Sequence, residues 1–448
     1  MKTSEILIST FVAAAAMSVP AFAETTNTEI DLTGDNYSST RVKVNNSYKF
    51  TYGSSNTDIG TYAPSDTESY TVNVGSATQL YFEEIVNFQL DVILNGSGYA
   101  NSTNEEKASL RIHKNSKTTT GTVSGNITLA GAEDARIWAT YSGTHKDLTI
   151  SGKISSVQGA TGGLTIVGGT SSNTAGLAMT GGMEIAGGLS IEAASSQYAQ
   201  LKLSKADDAE TAPVYSAATL SGAGKLTIDT GVTFTVAQGY TDAESAQTFS
   251  GSLLGAGTIE KKGAGTLTLS GQNTSFTGAA VISGGTLLAG NDYALGETGK
   301  GSSITVSGGR LQLGEGVSIM ADNISVVLSD AYLNPSAAIF GTEGGDSENI
   351  GNNKVTVTAD LAALSSIFTS AGRYDFQIID AGTVNVSEST LTLDSELESA
   401  FESRGWSHLF SNGVLTVNVP EPSAFGLLAG AGVLALAAAR RRRPCRKS

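Results

Sequence analysis

From about residue 123 onward, apolar residues alternate with Thr, Ser and other polar residues in short runs, each closed by glycine. Leu148-Thr149-Ile150-Ser151-Gly152, Leu164-Thr165-Ile166-Val167-Gly168-Gly169, Met183-Glu184-Ile185-Ala186-Gly187-Gly188 and Leu226-Thr227-Ile228 are examples. A period of two sends successive side chains to opposite faces, so each run predicts a strand with one buried side. Thr suits the outer face through its β-branch, and the closing glycines supply the positive φ of tight turns. No strand this short buries its apolar face alone, whereas equivalent strands stacked coil upon coil do. The pattern therefore predicts an all-β solenoid over residues 123–419. Residues 24–122 are less regular. Tyr48-Lys49-Phe50-Thr51-Tyr52 and Gln79-Leu80-Tyr81-Phe82 read as ordinary strands of an N-terminal β region that caps the solenoid. The polar stretch 194–213 reads as an excursion, and 391–401 as a short helix near the C-terminal cap. At about 22 residues per coil, the 396 residues between 24 and 419 wind into at most about 18 coils.

The two ends follow other patterns. Residues 1–23 have a thin positive start at Lys2, an apolar or small run over 6–19, then Pro20 and Ala21-Phe22-Ala23. That is a secretory signal: the run is too short to span a bilayer comfortably, and Ala21 and Ala23 frame a small-x-small cleavage site. At the other end Pro420-Glu421-Pro422 precedes 16 uncharged residues, 424–439, and then Arg440, Arg441, Arg442 and Arg443. As a helix, 424–439 measures about 24 Å, a marginal transmembrane span with arginines snorkelling at its end. The arginine cluster is expected to act as a stop-transfer signal held in the cytoplasm, with the body facing outward.

Composition narrows the function. Gly supplies 53 residues and Pro only 7, which permits long regular ladders. The formal net charge is −15, and residues 24–419 alone carry −20 because most of the excess basic residues lie in the tail. Nucleic-acid binding, which needs a basic stripe, is excluded as the expectation. The single cysteine, Cys445, lies in the basic tail, so no disulfide within the chain contributes to stability.

Two stretches carry family resemblances. Pro420-Glu421-Pro422, the small-residue apolar helix and the arginine-rich end over 420–448 resemble the PEP-CTERM sorting signal of bacterial envelope proteins. The resemblance implies recognition and processing by a membrane-embedded protease, an exosortase. The run Gly255-Ala256-Gly257-Thr258-Ile259-Glu260-Lys261-Lys262-Gly263-Ala264-Gly265-Thr266-Leu267-Thr268-Leu269-Ser270-Gly271 continues through Gln272-Asn273 and Phe276-Thr277-Gly278. Val281-Ile282-Ser283-Gly284-Gly285-Thr286-Leu287 follows. Over 255–296 this looks like the autotransporter-associated β-strand repeat, which implies a right-handed parallel β-helix. Autotransporters end in a membrane β-barrel, whereas here the strand at 414–417 passes straight into the sorting tail. The repeat is thus expected to serve as a scaffold without that export machinery.

No catalytic constellation, cofactor site or metal site is predicted. His113, His145 and His408 stand in unrelated contexts, and no metal-ligand spacing or nucleophile elbow is present. The acidic pairs Glu133-Asp134, Asp207-Asp208 and Asp242 with Glu244 read as solvated loop residues, and Trp138 and Trp406 as structural positions more than sugar platforms. The expected function is an exported envelope protein with a structural or adhesive role at the cell surface or in the extracellular matrix. Its expected partners are signal peptidase, an exosortase-type enzyme, the membrane through its C-terminal helix, and a surface polysaccharide. The alternative is a β-helix polysaccharide lyase or hydrolase, which would require three or more charged side chains converging in one groove. The mature chain is expected to begin at Glu24. N-terminal sequencing of the envelope-associated protein checks this, and an intact Met1 would overturn it.

Overall fold

The computed structural model describes residues 26–421, apart from 54, 66–67, 84–86, 101–106, 115–120, 142–147, 168–175, 195–196, 240–247, 334–335, 343–347, 351–353 and 386–390. The short alternating runs are strands. Thr258–Lys261, Thr266–Leu269, Ala279–Ile282, Thr286–Ala289, Ser303–Val306 and Arg310–Leu313 each place every second side chain in the core. Leu267 and Leu269 point inward, fully buried, with Thr268 outward between them, as the alternation requires.

Among the described residues the solenoid strands assemble into three sheets, two of fourteen strands and one of seven, parallel throughout except for a three-stranded meander at one end. The chain visits the faces in rotation. Met183–Glu184 lies in the first sheet, Leu189–Ile191 in the second and Gln200–Leu203 in the third, after which Tyr215–Ala217 returns to the first. This is a parallel β-solenoid. In-register stacking lines like residues up into columns. Phe234 lies over Ile259, Ile259 over Ala280, Ala280 over Ile304 and Ile304 over Ile324, all of them buried.

Fourteen strands in the first sheet are fewer than the ceiling of about 18 coils, and at about 4.8 Å per rung they span about 60 Å. Loops lengthen most coils. Ile259 pairs with Ala280 after 21 residues, but Val92 pairs with Ile127 after 35. Strand pairing is also continuous across residues 122–123: Thr122–Val123 lies between Asn87–Phe88 and Leu148–Ile150 in the third sheet. The strands before 123 are rungs of the same solenoid. The distinct N-terminal feature is a meander in which Lys49–Tyr52 pairs antiparallel with Thr40–Val44 and Thr57–Thr61. Its rings close on the core, Tyr48 against Phe88 at 5.7 Å and Phe50 against Tyr62 at 5.5 Å. Within the expected excursion, Ala193–Ala194 and Gln197–Tyr198 form a small hairpin, but Gln200–Leu203 is an ordinary rung.

At the C-terminal end Leu391–Leu393 is the last strand of the first sheet, and the helix Ser395–Ser403 follows. Asp394 caps that helix by accepting from the Glu396 N–H at 2.6 Å, which satisfies one of its free donors. Leu397, Ala400 and Phe401 are its buried face. The helix packs near a three-stranded antiparallel sheet of Gly372–Gln377, Val414–Val419 and Ser407–Ser411. Phe368 joins the two, with its ring 5.8 Å from Phe401, 5.6 Å from Phe376 and 4.7 Å from Trp406.

Two buried polar residues explain the most regular stretch of sequence. The third sheet ends at Ser252–Leu254, so the next coil lacks that ladder. Asn273, 1% exposed, takes its place: Oδ1 accepts from the Leu253 N–H at 2.7 Å and Nδ2 donates to the Ala294 carbonyl at 2.6 Å. One side chain thereby bridges the coils before and after its own. Lys261 occupies an inward position between Val236 and Ile282 and is fully buried. Its ammonium donates to the carbonyls of Gln238 and Gly263 at 2.9 Å each, Gly284 at 3.4 Å, and Lys262. These oxygens belong to three successive coils. A Cβ at Gly285, where φ is +60°, would lie 2.8 Å from the Lys261 Nζ, so this glycine leaves room for the ammonium.

Asn273→Ala orphans a buried N–H and a buried carbonyl, each at about 1–3 kcal/mol. Urea unfolding is expected to show that loss, while Gln272→Ala, at an exposed neighbour, changes stability by less than about 0.5 kcal/mol. Equal effects would overturn the bridging role. Burial pushes Lys261 down to about 8 from the ordinary lysine range near 10.5. Between these values the unfolded chain holds the proton that the folded chain has lost, so this group makes stability rise with pH across that window. Lys261→Met is expected to remove that rise. A wild-type-minus-variant difference that stays flat from pH 8 to 10.5 would contradict it.

Candidate functional site

The outward-facing positions of the second sheet form columns as regular as the inward ones. Arg136 lies beside Thr165, Thr165 beside Ser190, and Ser190 beside Ser221, in four successive coils. The spacing is one rung, about 4.8 Å. These residues floor an open groove of about 560 Å³, completed by Ser97, Glu133, Asp134, Gly188, Glu192 and Thr219.

The charged groups of the groove are held in place. Arg136 reaches past Thr165 to Glu192, two coils on, in a bidentate pair with N–O distances of 2.9 and 2.8 Å. Its Nε donates to the Lys107 carbonyl at 2.9 Å. Such a fork-to-fork pair fixes both planes. Glu133 accepts from the Ser97 hydroxyl at 2.9 Å, and Asp134 from the Gly163 N–H at 2.7 Å. The hydroxyls of Thr165, Ser190, Thr219 and Ser221 line the groove with no protein partner among the described residues, Ser190 and Thr219 half-buried and Thr165 and Ser221 only 3% and 6% exposed at its floor. Each can both donate and accept.

Beside this column runs a second one, cationic and aromatic. Arg41 lies 4.8 Å from the Tyr81 ring, and Arg111 lies 5.0 Å from Tyr81 and 4.1 Å from Trp138. These are cation–π distances. Trp138 is only 3% exposed, packed with Ala108 and Val167, so it is not a sugar-stacking surface. Trp406 packs on Phe368 and Phe401 in the C-terminal cap.

The sequence candidates thus separate. Glu133 and Asp134 enter the groove. Asp207 and Asp208 lie in an exposed loop, and Asp242 and Glu244 lie outside the described residues. His113 is on the second-sheet strand Leu110–Lys114, while His408 lies between the Phe401 and Phe410 rings, 6.1 Å from each. His145 and Cys445 lie outside the described residues. Among the described residues no group of three His, Cys, Asp or Glu side chains is arranged to hold a metal. Arg136, Glu192 and the hydroxyl column did not stand out in the sequence, because 56 residues separate the ion pair. Only the coil register brings its two members together.

The sorting region begins where the cap ends. Val414–Val419 is the central strand of the cap sheet, with Val419 still paired to Gly372, and Pro420 and Glu421 follow at once, exposed. Pro422, the segment 424–439, Arg440–Arg443 and the cleavage-site residues Ala21 and Ala23 lie outside the described residues. Among the described residues no helix is long and apolar enough to cross a membrane.

Comparison with known proteins adds three findings. The family model of the passenger-associated-transport-repeat matches residues 259–289, the stretch that holds Lys261, Asn273 and Gly285. The model of the PEP-CTERM protein-sorting motif matches residues 418–443. The chain is also similar to the Adhesin BmaC autotransporter of Brucella suis biovar 1 (strain 1330), 41% identical over 93 residues. That stretch is 20% of this chain and 3% of the adhesin, so the likeness concerns a small part of a much longer protein. No solved structure matches. The chain carries a passenger-type repeat and a sorting motif, features of a protein exported to the cell envelope or surface.

Proposed function

We propose that this is a surface protein whose right-handed solenoid serves a structural or adhesive role after a two-step maturation. Signal peptidase removes residues 1–23 after Ala23. The helix over 424–439 then holds the precursor in the inner membrane, with Arg440–Arg443 in the cytoplasm. An exosortase-type enzyme processes the chain near Pro420-Glu421-Pro422 and frees the body for the surface or matrix, where a polysaccharide is its partner. One observation carries this reading: a stack of coils with a passenger-type repeat ends in a paired strand directly abutting a sorting motif. A marginal span of about 24 Å suits a temporary stop better than a permanent anchor.

A second reading, a polysaccharide lyase or hydrolase, is favoured by the convergence of Glu133, Asp134, Arg136 and Glu192 in one groove. Against it, Arg136 and Glu192 are bound to each other, where a reaction would ask them to engage substrate. Neither matched family model describes an enzyme.

Glu421→Ala is expected to make uncleaved precursor accumulate in the inner membrane with its body still exported. Fractionation with an antibody against the body, and mass spectrometry of its C-terminus, reads the outcome. Mature surface protein that retains Arg440–Arg443 would show that the tail is a permanent anchor.

A further inference from the structure

We infer that the groove on the outer face of the second sheet is a binding site for an uncharged glycan chain lying along the solenoid axis. The inference rests on the adhesive reading and gives it a place and a ligand chemistry. Its first support is the floor. Thr165, Ser190 and Ser221 repeat one hydroxyl per coil, and with Thr219 they have no protein partner among the described residues; Ser190 and Thr219 are the more accessible, Thr165 and Ser221 lying deep in the floor at 3% and 6% exposed. A row of groups that each donate and accept is matched by a ligand that does the same at regular intervals, as the hydroxyls of a sugar polymer do.

The second support is the wall. Glu133 and Asp134 are each held by a donor from the protein, yet a carboxylate offers about four acceptor positions. They remain able to take hydrogen bonds from further hydroxyls. The bidentate Arg136–Glu192 pair adds a rigid polar plane that needs no reordering on binding, which lowers the cost of association. Polyanions are disfavoured by three carboxylates in the lining and by a body charge of −20. Apolar ligands are disfavoured because no large apolar side chain lines the groove. The volume of about 560 Å³ is within the usual range of about 300–1,000 Å³ for ligand sites, and its open shape suits a segment of a longer chain.

The test uses the exported protein, purified after processing, on immobilised neutral hexasaccharides of glucose, galactose, mannose and N-acetylglucosamine, with polygalacturonate as the acidic comparison. Ser190→Trp and Ser221→Trp each fill the groove from an outward position. Ser155→Trp places the same ring outward on the first sheet as a control. Circular dichroism melts establish that all three remain folded. The expected result is binding of at least one neutral hexasaccharide, weakened at least tenfold by either groove substitution and less than twofold by the control. Binding that survives Ser190→Trp and Ser221→Trp would overturn the groove while leaving adhesion standing. Preference for polygalacturonate, or no binding to any neutral probe, would overturn the inference, while surface export stands or falls with the Glu421→Ala fractionation. Shortened oligosaccharides in the supernatant would overturn it in favour of the enzyme reading.

Discussion

Everything in this molecule depends on stacking one coil on the next at the spacing of a parallel ladder. Each strand must meet its neighbours above and below at about 4.8 Å, so each coil can be no thicker than one backbone. Inward positions then form continuous apolar columns, such as Phe234 to Ile324. Corners must let backbone pass close to backbone. At Gly278 a Cβ would sit 1.9 Å from the Gly257 carbonyl oxygen, so the glycines that punctuate the sequence are set by contact between coils as well as by turn conformation. Short alternating runs and recurrent glycine are two consequences of one spacing.

Where the ladder is interrupted, a side chain takes over its hydrogen bonds. Asn273 supplies an acceptor to one coil and a donor to the next at the point where the third sheet has ended. Lys261 brings an ammonium to carbonyls from three coils at a corner. Both solutions place costly polar groups in the interior, and both succeed because their partners are other buried polar groups. The repeat family's matched residues include both. A short coil, recurring after only 20–21 residues, therefore coincides with the most recognisable sequence: with little loop to absorb mismatch, it needs particular residues at particular places.

Legibility in the sequence follows the same division. Strand identity, inward and outward faces, the solenoid class and the existence of a C-terminal helix could be read locally, because period-two alternation is a local signal; the helix bounds could not, since Leu391–Leu393 is a rung and the helix is Ser395–Ser403. The coil count could not, because loop insertions such as those between Val92 and Ile127 leave the stacking intact while lengthening the chain between rungs. Nor could the membership of residues before 123 in the same sheets. Strands such as Thr122–Val123 are two residues long, too brief to show a period, and only their neighbours identify them.

The groove shows why a solenoid can acquire binding surfaces without disturbing its fold. Inward columns carry the stability, while outward positions such as Arg136 and Ser190 are largely released from that duty. An outward residue of the ladder is placed beside residues 19–42 positions away, so a one-residue change in a single coil alters a surface assembled from several. The cost of such a change stays low as long as the outward side chain leaves the ladder alone. An ion pair like Arg136 with Glu192, spanning two coils, also clamps the rungs between them. The device that shapes the groove thus holds together the rungs that form its floor. A ligand lying along the same axis would extend that clamp across further coils, so binding and local stiffness of the stack are expected to rise together.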